Sequence, residues 1–116
     1  QQLGGEHPDT AESLNNLAAL YYDLGRINEG ELLFRRAFIV WERVLGPEHP
    51  DTAPSLSWLA LSYHRRGQYK QAQPLYECVL AIYERALGSD HPRTLNLRGH
   101  YASLLQDMEG EVDEEE

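Results

Sequence analysis

The side chains able to do chemistry in this chain of 116 residues are five histidines, one cysteine, six serines and 19 carboxylates. His7, His49 and His91 stand 42 residues apart, each followed by proline. Histidine is the commonest metal ligand and titrates near neutral pH. Ligands of one ion must converge to about 2.0–2.2 Å of it, and residues that recur once per repeat are carried apart by the repeat itself. A structural role at a recurring turn is therefore expected for these three. His64 and His100 have no carboxylate or cysteine at ligand spacing. Ser13, Ser55, Ser57, Ser62, Ser89 and Ser103 lack the glycine elbow that exposes a nucleophile. Cys78 is alone, so it makes no internal disulfide, and cytoplasm is the default compartment. It is expected as a small core or half-exposed residue. No glycine-rich pattern able to cradle phosphate occurs. The residues thus predict no catalytic group, no metal site and no cofactor, and hence no enzyme.

The elements that must position these side chains follow from composition and periodicity. Hydrophobic residues make up 41% and charged residues 25%, the balance of a soluble globular chain. No apolar run approaches the roughly 18 residues of a membrane span. Gln1 to Gly5 have neither the basic start nor the apolar stretch of a signal peptide, and without an initiator Met they read as the start of an excerpt from a longer chain. A net charge of −9 argues against nucleic acid or an anionic membrane as partner. The acidity is local: seven acids and no base lie between Asp107 and Glu116, against twelve acids and ten bases before them.

Leu3-Gly4-Gly5-Glu6-His7-Pro8-Asp9-Thr10 recurs as Leu45-Gly46-Pro47-Glu48-His49-Pro50-Asp51-Thr52, and again as Leu87-Gly88-Ser89-Asp90-His91-Pro92-Arg93-Thr94. Residues 3–44 and 45–86 share 17 identities in 42, where unrelated segments would share about three. The chain divides into units 3–44, 45–86 and a partial 87–116 of one repeat domain. Each unit predicts two helices. Leu14, Leu17, Ala18, Tyr21 and Leu24 form an apolar stripe of helical period, repeated by Leu56, Leu59, Ala60 and Tyr63. Asp9 and Asp51 suit the positive end of a helix dipole, and Thr10 and Thr52 offer capping oxygens. Gly25 and Gly67 end the first helix of each unit. A second helix is expected over Asn28 to Leu45 and over Lys70 to Leu87. Pro54 and Pro74 fall where a missing N–H delays or bends those helices. In the third unit the turn glycine is Gly110, one residue late, so Gly110 to Glu116 reads as the start of a sixth helix, cut short and frayed.

The pattern Ser13-Leu14-Asn15-Asn16-Leu17-Ala18, Tyr21, Gly25, Ile27, then Glu31, Leu33-Phe34, Arg36-Ala37, resembles a tetratricopeptide repeat. Leu59-Ala60, Tyr63, Gly67, Tyr69, Ala72 and Leu75-Tyr76 resemble it again. The 42-residue period and the Leu-Gly-x-Glu-His-Pro-Asp-Thr link are similar to the longer subclass found in kinesin light chains and in bacterial and fungal signalling proteins. The resemblance implies an all-α, right-handed solenoid of antiparallel helix pairs, about five helices in all, that binds a peptide or protein segment. Gly30 replaces the usual alanine and is expected to loosen its helix.

A repeat stack leaves one stripe of each first helix lining a concave groove. The candidate groove residues are Asn15, Asn16, Ala19, Tyr22 and Asp23 in the first unit, Ser57, Trp58, Leu61, His64 and Arg65 in the second, and His100 in the third. Asparagine amides can satisfy a peptide backbone, while Tyr22, Trp58 and Leu61 offer apolar anchors, Trp58 being equally suited to pack between repeats. The resemblance implies that Asn15 and Asn16 face a peptide. Lys70 is the only lysine, which leaves the family's clamp on a terminal carboxylate incomplete. The alternative is a structural or self-associating segment, in which Tyr101, Leu104 and Leu105 form an apolar end surface that docks a second copy. A third possibility places catalysis in residues outside these 116.

Overall fold

The computed structural model describes residues 8–115, with side chains from 10 to 111. Five helices follow one another: α1 (Pro8–Asp23), α2 (Ile27–Leu45), α3 (Ala53–Arg65), α4 (Tyr69–Leu87) and α5 (Pro92–Glu115). No strand occurs among the described residues. The chain is an all-α solenoid: α1 packs on α2 and α3 on α4 as hairpins, α2 meets α3, and α4 meets α5. The second helices begin one residue earlier than their apolar period suggests, at Ile27 and Tyr69.

Short turns make the hairpins. The amide of Arg26 donates to the Tyr21 carbonyl at 2.8 Å and that of Gly25 to Tyr22 at 3.0 Å. Gln68 and Gly67 repeat the pair on Tyr63 and His64 at 2.9 and 3.1 Å. This double bond closes the end of a helix around a residue of positive φ. Pro54 explains why α3 starts three residues later in its unit than α1 and α5 do. A helix opened at Pro50 would need the N–H that Pro54 lacks, so α3 begins at Ala53, with proline in its first turn. Pro74 lies inside α4, which continues through it.

The core runs along the stack through Ala18, Phe34, Ala60, Tyr76, Val79 and Leu104, each fully buried. Ala18 and Ala60 sit where first and second helices meet, as their small size predicts. Gly30 departs from expectation. A Cβ there would lie 2.9 Å from the Ala18 carbonyl oxygen and 3.4 Å from the Tyr22 amide nitrogen, so glycine permits a close α1–α2 approach and does not loosen it.

Three further expectations are corrected. Leu17 and Leu24 of the first apolar stripe are exposed, whereas Leu59, the counterpart of Leu17, is buried. The reason is that α2 covers α3, while no described helix covers that side of α1. Gly110 is not a turn: α5 passes through it as one helix of 24 residues to Glu115, and its φ is not positive. The acidic run 113–115 therefore continues α5 and does not begin a sixth helix. Continuing α5 satisfies its backbone groups with helical hydrogen bonds. Finally, Thr52 places no side-chain cap on α3; its hydroxyl donates to the Gly46 carbonyl at 2.8 Å.

Candidate binding surface

The first helices of the three units stand side by side, joined by polar and aromatic contacts. Ser55 on α3 donates its hydroxyl to Asn15 Oδ1 on α1 at 3.0 Å. Nε2 of His64 on α3 lies 2.7 Å from Asp107 Oδ2 on α5, and its Nδ1 lies 3.3 Å from the Tyr76 hydroxyl on α4. The expected groove residues do not form one row of ligand contacts; they separate into two sets.

The first set is polar. Asn15 and Asn16 line a hollow of about 250 Å³ together with Glu12, Trp41, Asp51 and Pro54. Asn15 is half-buried and already tied to Ser55, while Asn16 is exposed. Its carboxylates and amide oxygens make this hollow a place for donors.

The second set is aromatic and cationic, and here the structure corrects the sequence. Tyr22 is 6% exposed and belongs to the core. It meets the edge of Trp58 at 5.3 Å, and Trp58 in turn stacks on Phe34 of α2 at 5.1 Å, nearly parallel. The two aromatics expected as peptide anchors thus hold α1, α2 and α3 together. Arg65 remains exposed, its guanidinium 5.1 Å from the centre of the Tyr22 ring. A cation over a ring face is attracted by the ring's quadrupole. The Tyr22 hydroxyl is buried with no hydrogen-bond partner among the described residues. Burial raises its pKa, with Arg65 opposing. Tyr76 is fully buried, and burial pushes it up to about 12.

Of the remaining candidates, Ala19, Ser57, Leu61 and His100 are half-buried and Asp23 is exposed. The proposed end surface is corrected as well. Leu104 is fully buried, and Tyr101 packs on Tyr76 and donates its hydroxyl to Glu77 at 2.6 Å. That hydrogen bond is the main reason the Tyr101 pKa is raised. Leu105 alone of the three is exposed. Cys78 is exposed on α4.

Sequence reasoning missed two features. Arg66 bonds Asn28 Oδ1 at 3.1 Å and pairs with Glu31, which also pairs with Arg35, so a charged seam joins α3 to α2. These residues lie in separate units at offsets that no repeat alignment signals. A cleft of about 570 Å³ opens between α2 and α4 over a floor of Leu56, Leu59 and Tyr63, rimmed by Arg35 and Lys70. Pro74 in its wall was the one available hint.

Histidines 49 and 91 converge on nothing; His7 lies outside the described residues. No three His, Cys, Asp or Glu side chains group as a metal site among the described residues. None of the described helices is long and apolar enough to cross a membrane.

A helix-pair solenoid of this period defines the class of protein, and comparison agrees. The tetratricopeptide repeat family matches residues 9–83 and again 51–114, and the chain belongs to that family. Among solved structures it is similar to a Podosopora anserina protein of kinesin light chain type, built from nearly identical TPR-like repeats. Identity is 31% and the TM-score 0.73, over 96% of this chain and 53% of that one. A single-substitution variant of the same protein aligns at 30% identity and a TM-score of 0.76, over 97% of this chain and 53% of that one. The chain thus spans about half the length of these relatives. No curated protein matches it significantly.

Proposed function

We propose that the chain is a non-catalytic scaffold of the cytoplasm that holds an extended peptide or protein segment across α1, α3 and α5. Repeats of this family generally mediate protein–protein interaction. The observation that supports the reading most is Arg65: an exposed guanidinium, held in place over a buried ring, with no carboxylate partner among the described residues. A preorganised cation of this kind loses little freedom when a carboxylate or carbonyl docks on it. Leu61 provides apolar area nearby on α3, and the amide of Asn16 can bond a peptide backbone from α1.

The test is selection from a random peptide library, followed by affinity measurement on variants. Arg65→Glu should weaken a selected peptide by tenfold or more with helicity unchanged, and Asn16→Ala by less. Failure to select any peptide, or selected peptides indifferent to Arg65→Glu, overturns the reading. Trp58→Ala is a poor test, because its loss unstacks Phe34.

Exposed Leu17, Leu20 and Leu24 on α1 favour a second reading, self-association. Contiguous exposed apolar surface of this kind marks interaction sites. Sedimentation should then show a dimer or larger species that strengthens with salt, as acidic surfaces are screened, and that Leu20→Glu abolishes. A strict monomer at high concentration and moderate salt excludes it.

A further inference from the structure

The cleft between α2 and α4 lies on the far side of α3 from the groove. Leu56, Leu59 and Tyr63 form its floor, and at about 3.6 residues per turn they point away from Leu61 and Arg65 of the same helix. Phe38 and Ile39 of α2 make one wall, Pro74 and Leu75 of α4 the other. Ile39 is 46% exposed, so one wall presents a large aliphatic side chain to water. The volume of about 570 Å³ lies in the range of about 300–1,000 Å³ usual for ligand sites. The walls belong to successive units, so the cleft is internal to the stack.

Charge and backbone together say what such a cleft takes. Lys70 at its rim is exposed and pairs with no carboxylate among the described residues. Glu111 of α5 faces it across a neighbouring hollow without reaching it. The guanidinium of Arg35 bonds the Tyr63 hydroxyl and lies 5.7 Å from the centre of that ring, and Arg66 lies over the same ring at 5.4 Å. Glu31 is the carboxylate paired with both arginines. Three cations against one carboxylate make this mouth positive in a chain whose net charge is −9. The backbone adds an acceptor. Pro74 has no N–H for the Lys70 carbonyl four residues back in α4, so that oxygen lacks its helical donor. Beside it the Gln71 side chain lines the cleft, and its amide both donates and accepts.

We propose that this cleft is a second binding site, for an acidic peptide segment with an apolar centre. Large apolar side chains of the segment fill the floor, and carboxylates on either side of them meet Lys70 and Arg35. A peptide N–H of the segment donates to the Lys70 carbonyl, a contact that a simple fatty acid has no group to make. The site is independent of the groove across α1, α3 and α5, so one chain holds two segments on opposite faces. It is smaller than a stable protein–protein interface, and its cations are exposed, so binding is weak and falls with salt.

The test is an array of end-capped peptides in which one or two of Leu, Ile, Phe or Trp are flanked by Glu, Gln or Lys. Binding to the full chain is read by fluorescence polarisation up to millimolar concentration. The Glu series should bind, and the Gln and Lys series, or a Glu series with Ala at its centre, should bind far more weakly. Lys70→Glu and Ile39→Ser should each weaken the Glu series about tenfold or more. Both side chains are exposed, so circular dichroism should not change. Pro74→Ala gives the Lys70 carbonyl its donor, and should raise the Tm while weakening binding severalfold. Groove peptides lose affinity through Arg65→Glu and cleft peptides through Lys70→Glu, so the two sites fail separately. Equal binding of the Glu and Gln series, or no binding by either, overturns the proposal. So does a Glu series that Arg65→Glu abolishes, or that binds undiminished to Lys70→Glu, Ile39→Ser or Pro74→Ala. A sedimenting dimer that Lys70→Glu dissolves would give the cleft to a second copy, and dodecanoate binding there in place of every peptide would give it to an amphiphile; either also overturns it.

Discussion

At the scale of single residues, packing overrode type. Tyr22 and Trp58 look like peptide anchors because they sit off the repeated stripe, yet both are drawn into the seam between units. A stripe drawn on one helix cannot show which neighbour will cover it. Gly30 is the sharper case. Alanine in a helix interior is worth about 1 kcal/mol over glycine, but here its Cβ would press on the Ala18 carbonyl. Overpacking costs about 1–3 kcal/mol, so Gly30→Ala should lower the Tm by several degrees; an increase would mean that α1 and α2 part freely. Tyr76 permits a prediction at alkaline pH. Its pKa is near 10 in an unfolded chain and about 12 when folded. The stability it confers is complete below pH 10 and is lost as pH rises from 10 toward 12. Absorbance of tyrosinate at 295 nm should show ionisation that continues past pH 10, since Tyr22, Tyr83 and Tyr101 are raised as well, with Tyr76 in the late step that accompanies the loss of helicity. Tyr76→Phe should remove that late step, and ionisation of all seven tyrosines near pH 10 in a still-helical protein would contradict it.

At the scale of elements, most of the architecture was legible. The 42-residue period and the paired stripes are enough to place four helices within a few residues, because apolar spacing and turn glycines both depend on local geometry. What stayed hidden needed tertiary information. The register of α3 turned on one missing N–H at Pro54, and the role of Thr52 on a carbonyl six residues back. The continuation of α5 through Gly110 is the plainest failure of local reading: this glycine has no positive φ and takes an ordinary place inside the helix. Gly110→Ala tests this directly, since its Cβ would meet nothing within 4 Å. In a helix the change should raise helicity and add up to about 1 kcal/mol; at a turn of positive φ it would destabilise. Circular dichroism and amide exchange around residue 110 distinguish the two. The candidate surface was less legible than the helices. Asn16, Leu61 and Arg65 remain accessible there, whereas the His64–Asp107 contact joins units and has no signal within either one.

At the scale of the whole molecule, the units are similar but not equivalent. Those 17 identities in 42 place the same helices in each, and some of the differences fall where one unit touches the next. Asn15 has no counterpart at Ser57, and it is Ser55, one helix over, that uses it. The position after proline in the link is Asp9, then Asp51, then Arg93. Arg93 Nη1 lies 3.4 Å from Asp51 Oδ1, and both side chains are about half exposed. So exposed a pair contributes little to stability. Its effect is on order. Because the two residues hold the same place in successive units, a contact between faithful copies would set aspartate against aspartate. Recombination within the gene that repeated the middle unit would do the same, and one that put a copy of the third unit beside the original would set arginine against arginine. The change at this one position therefore fits the third unit to the second, whereas the first and second units both carry aspartate there.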